Sequence, residues 1–407
     1  MSRGVASPGA ALFMATFAAQ STAFVLAPML PRLAATFAVP MGTVGQLRTC
    51  SGAAAMLAPI AVALLAPQVA SRSAILAGLL LDLAGCCLAG TAGSFSALVV
   101  AHLFLGAGLG LVVGGSLTAS ADWAATGGRA RLLTRATLGM GTSAVVATPL
   151  AGSLVMLDWR VAWLVPGAAC LLALRAVRSQ PGARRTVRAG GDPVQAIQRA
   201  RSALRRPDVA GWLVGEFLAY GGWSVVTVFA AALLIANYRV APLMAGMLIG
   251  LSATAFLVSA RWMRPRLDAP RPWLLGLSLA LAATGAAFGL ARTSLVTSAV
   301  LLLLLGLLNG GRNPAGSALG LVLGGDQPAP LMAARTSMQF LGYLVGAGLG
   351  SVVLTDRGFS GLGVLMGALF GLAAVPHALA WASLCHHARP TPHTAARPAP
   401  VRCQQGG

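Results

Sequence analysis

The sequence predicts an all-α membrane protein in which twelve transmembrane helices form two pseudo-symmetric six-helix bundles. Three observations support this fold class: the composition, the recurrence of long apolar segments, and an internal repeat. Of the 407 residues, 57% are hydrophobic and only 9% are charged, and the mean hydropathy is +0.78. Soluble domains carry about 25% charged residues. A chain so poor in charge must therefore expose most of its surface to lipid.

Twelve apolar segments recur along the chain, and each is long enough to cross a hydrocarbon core about 30 Å thick. The first begins near Ala10 and lacks a convincing cleavage site, so we expect a membrane span there rather than a signal peptide. The segments lie near residues 10–31, 44–65, 74–92, 96–119, 133–156, 161–176, 210–236, 241–260, 273–291, 295–320, 333–354 and 361–384.

Arginine supplies all 29 basic residues, against nine acidic ones, and the formal net charge is +20. When both termini are placed in the cytoplasm, most arginines fall in the inner segments, as the positive-inside rule requires. In this assignment Arg48 belongs to an outer segment, Arg335 belongs to an inner one, and only Arg312 lies within a span. The charge is thus a topology signal, and we expect a bacterial inner-membrane protein with cytoplasmic termini and no nucleic-acid partner.

An internal repeat relates the two halves at a nearly constant offset of about 200 residues, as expected for a duplicated six-span unit. Gly106 and Gly110 match Gly306 and Gly310 at this offset, and Arg72 lines up with Arg271. Such a duplication places a substrate site between the halves. The predicted divisions are an N-terminal bundle over 1–176, an arginine-rich cytoplasmic linker over 177–209, a C-terminal bundle over 210–385 and a disordered tail over 386–407.

Three motifs point to a known family. The run LPRLAATFAVPMGTVGQL follows the first span, span 4 carries Gly106, Gly108 and Gly110, and span 5 carries Pro149 and Gly152 ahead of an Asp-Trp-Arg turn. With these motifs the sequence resembles the major facilitator superfamily, in particular its drug:proton antiporter-like branch. The resemblance implies a cavity lined by spans 1, 4, 7 and 10, and conformational roles for these residues and for Arg72.

The sequence departs from the family pattern at several polar positions. In the loop between spans 2 and 3, Gln68 stands where the family has aspartate, and of the expected arginines only Arg72 is kept. In span 4, His102 and Leu105 replace the family's arginine and glutamine, and in span 5 Thr148 replaces the glycine before proline. These changes remove residues that the resemblance associates with proton coupling and with the conformational latch.

Ionisable residues inside spans are costly, at about 2.5–3.5 kcal/mol near a helix centre, and mark candidate functional sites. We place Asp82, His102, Glu216 and Arg312 there. Glu216 and Arg312 lie at similar depth on neighbouring spans, which predicts an ion pair, and Glu216 is the candidate proton-coupling acid. A structural or interfacial role is the alternative for both. His102 could relay protons with Asp82 as its partner, although a buried structural hydrogen bond is the favoured reading of Asp82.

The candidate substrate-binding residues are polar or aromatic side chains on the predicted cavity-lining spans. Arg312 could hold a carboxylate-bearing substrate through two parallel hydrogen bonds. The other side chains offer hydrogen bonds and an aromatic face, with simple packing as the alternative for each. The set comprises Gln20, Tyr220, Trp223, Asn309, Arg312 and Asn313.

Several other signals carry little weight. The span 4 glycines resemble a dinucleotide-binding loop only superficially, because no strand precedes them. The six cysteines are scattered, and the irregular spacing of His and Cys in the tail does not suit a metal site. With no nucleophile–base pair or paired catalytic carboxylates, the sequence predicts neither an enzyme nor a bound cofactor or metal.

The sequence as a whole predicts a secondary transporter that works by alternating access. The leading hypothesis is export of a small amphiphilic drug or natural product by a monomer, in exchange for protons. One alternative is an importer or facilitator of a small anionic metabolite, which Arg312 favours. The other is a transport-inactive membrane scaffold or sensor. The expected partners are a small-molecule substrate, protons and the lipid bilayer.

Overall fold

The computed structural model describes residues 6–65, 69–124, 128–180, 205–263, 270–324 and 328–387. In these ranges the chain is helical and contains no strand. The helices are α1 (Pro8–Phe37), α2 (Met41–Leu65), α3 (Ser71–Gly90), α4 (Phe95–Asp122), α5 (Arg129–Val155), a short 3₁₀ helix (Val161–Trp163), α6 (Leu164–Arg178), α7 (Pro207–Tyr238), α8 (Pro242–Met263), α9 (Pro270–Leu290), α10 (Leu295–Gly324) and α11 (Pro328–His387).

The last helix is broken at Gly358. This glycine has φ 61° and ψ −161°, a conformation that a residue with a Cβ atom rarely adopts. The break divides α11 into a first arm over 328–357 and a second arm over 359–387. The two arms are separate helices, so the described part of the C-terminal half contains six helical rods.

By length and composition, ten helical segments in the described ranges can cross a membrane. The last of them, 334–380, covers both arms of α11, and α2 is outside this set. The chain is therefore a multi-pass α-helical membrane protein, as its composition predicts. The count of twelve spans stays a prediction. The predicted linker falls mostly on residues outside the described ranges, as do Gln68 and nearly all of the predicted tail.

Glycine contacts repeat between the two halves of the bundle. A Cβ atom added at any of four glycines would lie within 3.0 Å of backbone on the facing helix, so these helices pack at close range. In one half α4 packs on α2, and in the other α10 packs on α8. The matched contacts are Gly106 on Ser51 and Gly110 on Ala55, then Gly306 on Ser252 and Gly310 on Phe256.

The two halves meet chiefly through α2 against α11 and α5 against α8. Gly42 packs on Ser351 near the end where α1 leads into α2, and Gly152 packs on Pro242 at the same end of the bundle. Gly52 lies against Leu344 nearer the middle. The halves are thus closed together at the α1–α2 end, which is the end that the arginine asymmetry predicts to be extracellular.

The family-motif residues on α5 and at the start of α3 lie at helix contacts. A Cβ atom on Gly250 would lie 3.1 Å from Cγ of Pro149, so Pro149 belongs to the α5–α8 contact together with Gly152. Arg72 donates from Nη2 to the Arg178 carbonyl oxygen at 2.6 Å and so ties the start of α3 to the end of α6. Their proposed conformational roles stay predictions.

Candidate functional site

A buried ion pair joins α7 to α10. Nη2 of Arg312 donates to Oε1 of Glu216 at 2.7 Å, and both residues have 0% exposure. The ion pair expected from the sequence is therefore present. A charge pair removed from solvent in this way is stabilised only when its hydrogen bonds are well made.

Arg335 is a second arginine on the same carboxylate. Its Nε donates to Oε2 of Glu216 at 2.8 Å, so each carboxylate oxygen has its own guanidinium partner. The assignment of Arg335 to an inner segment is wrong. Because α11 begins at Pro328, Arg335 lies about two turns inside the helix, where it is 6% exposed.

His377 completes the immediate surroundings of the carboxylate. Its Nε2 lies 3.5 Å from Oε1 of Glu216, and it comes from the second arm of α11. His377 is missing from the ionisable residues predicted for the spans. The sequence feature that identifies it is the same as for His102, namely a lone histidine within an apolar segment.

Two glycines make room for the cluster. A Cβ atom on Gly316 would lie 3.1 Å from Cδ of Glu216 and closer still to Oε1. A Cβ atom on Gly215 would lie 2.5 Å from the His377 ring. Only a residue without a side chain allows α7, α10 and α11 to approach the carboxylate this closely.

Polar side chains extend the cluster beyond Glu216. Nη2 of Arg335 donates to Oδ1 of Asn313 at 2.8 Å, and the Tyr220 hydroxyl donates to the same oxygen at 2.9 Å. With its amide oriented to satisfy both neighbours, the oxygen of Gln339 accepts from Nη1 of Arg335 at 2.9 Å or from the Tyr220 hydroxyl at 3.0 Å. The structure thus brings Tyr220, Glu216, Arg312 and Asn313 into one connected site.

The cluster holds more positive than negative charge. Glu216 is the only acidic residue that pairs with Arg312 or Arg335 in the described part of the chain. Nε of Arg312 is buried and has no hydrogen-bond partner there. Two guanidinium groups against one carboxylate leave one positive charge without a counter-ion, and that arrangement is costly in a membrane interior. The described side chains of the cluster therefore carry a net positive charge.

Aromatic side chains lie beside the cluster. The Tyr220 and Tyr343 rings meet edge to face with centroids 5.7 Å apart. Trp223 stacks on Phe256 of α8 at 6.1 Å. Trp223 is half-buried, so one part of it packs against α8 and the remainder is accessible.

The remaining predicted substrate-binding residues lie apart from these contacts. Asn309 is buried on α10 about one turn before Arg312, and Gln20 is half-buried on α1 in the other half. The structure shows neither of them bonded into the Glu216 cluster.

His102 and Asp82 do not form the pair expected from the sequence. Nδ1 of His102 lies 2.8 Å from the Leu98 carbonyl oxygen, and neither oxygen of Asp82 has a hydrogen-bond partner in the described part of the chain. Asp82 packs against Gly108, where an added Cβ atom would lie 2.5 Å from Oδ1. Gly108 is six positions beyond His102 on α4, about 9 Å along the helix, so the two side chains occupy different levels.

Arg48 is a third buried arginine, and its assignment to an outer segment is wrong. It lies within α2 and is 9% exposed. Its guanidinium carbon stands over the Tyr343 ring, 5.5 Å from the centroid. Arg48 lies near the start of the predicted span 44–65, but α2 begins earlier, at Met41, and carries this residue about two turns into the helix.

Comparison with known proteins settles the family. Residues 12–321 match the family model of the Major Facilitator Superfamily. The chain belongs to this superfamily. It is accordingly a membrane transporter of the major facilitator type, and such proteins are generally not enzymes. No curated protein sequence matches the chain.

Solved structures of other superfamily transporters are similar in fold. A D-xylose–proton symporter matches at 14% identity with a TM-score of 0.73, covering 90% of this chain and 95% of that one. A nucleoside transporter matches at 12% identity and 0.71, covering 92% and 99%. A peptide transporter in complex with sulfate matches at 14% identity and 0.71, covering 95% and 96%. At such identities the likeness extends to the fold alone.

Proposed function

We propose that this transporter carries a small anionic molecule together with a proton, and that Glu216 is the proton-binding group. The observation that carries the proposal is the pairing of one buried carboxylate with two arginines, Arg312 and Arg335. While Glu216 is ionised, it occupies both guanidinium groups. A proton on Glu216 removes its negative charge, which competes with the substrate. The guanidinium groups of Arg312 and Arg335 are then buried without an anionic partner.

The chemistry of the arginines indicates what they would bind. A guanidinium group matches a carboxylate or phosphate through two parallel hydrogen bonds. Arg335 is half of such a site already, because Nη1 and Nη2 point to the polar groups of Gln339 and Asn313 rather than to Glu216. A substrate anion that replaces these neutral acceptors would gain charge-assisted hydrogen bonds.

The direction of coupling follows from this competition. Anion binding is strongest when Glu216 is protonated, and by linkage a bound anion strengthens proton binding to Glu216 equally. Proton and substrate therefore bind and leave together, which describes a symporter. With an inward proton gradient across a bacterial inner membrane, the net result is uptake.

Alternating access would carry the two ligands across the membrane. Packing of α2 on α11 and of α5 on α8 closes the α1–α2 end. With both termini cytoplasmic, as the arginine asymmetry favours, this arrangement corresponds to an inward-facing monomer. Reversal of the contact between the halves would expose the site to the other side.

Proton-coupled export of an amphiphilic drug or natural product is the second candidate. The aromatic pairs Tyr220–Tyr343 and Trp223–Phe256 favour it, because they offer ring faces near a carboxylate. In this case a cationic amphiphile competes with a proton for Glu216, so proton and substrate move in opposite directions. A transport-inactive scaffold or sensor predicts no flux of either kind.

Purified protein in liposomes tests the proposal. Uptake of a panel of radiolabelled carboxylates and phosphate esters is compared with uptake of cationic dyes, with the proton gradient imposed in each direction. We expect anion uptake driven by an acidic exterior, and in Glu216→Gln we expect this dependence on the gradient to disappear.

The matched control is Asp158→Asn, which neutralises a half-exposed acid remote from the cluster. Its transport should follow the wild type. Dye uptake driven by an acidic lumen, with no anion uptake under either gradient, would instead support the export candidate.

A further inference from the structure

We infer that the N-terminal half holds a second anion-binding subsite centred on Arg48, and that the substrate therefore bears two acidic groups. This inference rests on the proposed function, in which the Glu216 cluster receives the first acidic group. The juxtaposition that carries it is a buried arginine and a buried histidine lining one pocket of the N-terminal half, where the arginine also contacts Tyr343 of the other half.

Arg48 is a buried charge without a counter-ion. It is 9% exposed, and no acidic residue forms an ion pair with it in the described ranges. Its guanidinium group makes a cation–π contact with the ring of Tyr343, across the interface between α2 and α11. Such a contact offsets only part of the cost of burying an unpaired charge. An anionic ligand paired with Arg48 would supply the missing stabilisation.

A small pocket beside Arg48 supplies polar partners for that ligand. Its polar lining consists of Thr22, Arg48, Ser51 and His102, and the rest is apolar. An apolar surround strengthens charge interactions, because it lowers the effective dielectric constant. The apolar lining residues are Ala23, Leu26, Leu105 and Leu109.

His102 points independently to a ligand in this pocket. It is 2% exposed, and its Nε2 has no hydrogen-bond partner in the described part of the chain. Because Nδ1 faces the Leu98 carbonyl oxygen at 2.8 Å, Nδ1 carries the hydrogen of the neutral ring and Nε2 is an acceptor. A buried acceptor of this kind fits a hydroxyl group of the ligand, so an acidic group with a neighbouring hydroxyl suits the pocket best.

The two tyrosines link this subsite to the Glu216 cluster. Arg48 stands 5.5 Å from the centroid of Tyr343, Tyr343 lies 5.7 Å from Tyr220, and Tyr220 lies 6.0 Å from the guanidinium carbon of Arg335. These three consecutive steps set an upper limit on the separation of the two cations. A linear dicarboxylate of matching length would extend along the tyrosine pair and contact both halves at once.

A comparison of dicarboxylates with monocarboxylates of equal length tests the inference. Binding to the purified protein is measured by isothermal titration with two pairs, succinate against butyrate and suberate against octanoate. We expect at least one dicarboxylate to bind about tenfold more tightly than its partner, a difference of about 1.4 kcal/mol. In Arg48→Gln this ratio should fall towards one, and in Arg48→Lys part of it should remain.

The control is Arg32→Gln, which removes an exposed arginine of α1 and should leave the wild-type ratio in place. A ratio near one in the wild type, or an unchanged ratio in Arg48→Gln, would overturn the inference. If both classes of carboxylate bind equally and Arg335→Lys weakens both, the proposed function stands and only the second subsite fails. If neither class binds, both fail.

Discussion

Glu216 and Arg335 are 119 positions apart in the chain, yet Nε of Arg335 lies 2.8 Å from Oε2 of Glu216. This contact joins α7 to the first arm of α11. In the proposed mechanism Arg335 is shared between this fixed carboxylate and the anionic substrate. Proton binding to Glu216 is the event that would shift it from the first to the second.

Arg335→Lys should weaken anion binding although it preserves the charge. A lysine ammonium is compact and lacks the fork that reaches Glu216 through Nε and Asn313 through Nη2. We expect the Kd of the best anion to rise about tenfold, equivalent to about 1.4 kcal/mol. Titration calorimetry measures it, with the exposed Arg206→Lys as control. An unchanged Kd would exclude Arg335 from the binding site.

Glu216→Gln and Arg335→Gln should be coupled in stability. Glu216→Gln alone leaves two buried arginines unpaired, and the loss of one partner from a buried ion pair costs about 3–5 kcal/mol. Adding Arg335→Gln removes one of the two stranded charges, so the double variant should be more stable than Glu216→Gln alone. Thermal unfolding in detergent measures the cycle. Additive effects would contradict the shared ion pair.

Gly316→Ala should displace the Glu216 carboxylate and destabilise the cluster. The added Cβ atom would lie 3.1 Å from Cδ of Glu216 and must push the carboxylate off its arginines. We expect a loss of about 1–3 kcal/mol, typical of an overpacked site. Gly276→Ala on α9 is the control, because a Cβ atom there meets nothing within 4 Å. Equal melting temperatures for both variants would show that the carboxylate has room to move.

Gly106→Ala and Gly306→Ala should destabilise the two halves to a similar extent. Each added methyl group meets the backbone of the facing helix, at Ser51 in one half and at Ser252 in the other. Gly114→Ala on α4 serves as the control, because its Cβ atom would lie an ordinary 3.8 Å from Pro59. Tolerance of either substitution, judged by melting temperature, would show that the repeated contact is not needed for packing in that half.

The fold class and the repeat could be predicted because both depend on composition and spacing, which are properties of the chain itself. Matched glycines such as Gly106 and Gly306 recur as matched helix contacts, since a duplicated sequence packs in the same way twice. The ion pair of Glu216 with Arg312 could also be predicted, because the number of residues from the end of each helix gives the depth of each side chain in the membrane.

The remaining partners of the site depended on where helices begin and on which faces meet. Arg48 and Arg335 lie near the ends of the predicted spans 44–65 and 333–354, so the arginine count grouped them with the outer and inner segments, whereas α2 and α11 carry both into the bundle. His377 reaches Glu216 only because the chain reverses at Gly358. His102 and Asp82 illustrate the opposite error, since two buried ionisable residues on adjacent helices need not face one another.

The proton movement that accompanies anion uptake tests the central claim most directly. Liposomes containing the wild-type protein and a pH-sensitive dye in the lumen are given a substrate anion without an imposed gradient. If Glu216 carries a proton in with each anion, the lumen acidifies in step with uptake, and Glu216→Gln takes up anion without this change. Alkalinisation of the lumen during uptake, or acidification that persists in Glu216→Gln, would contradict the account.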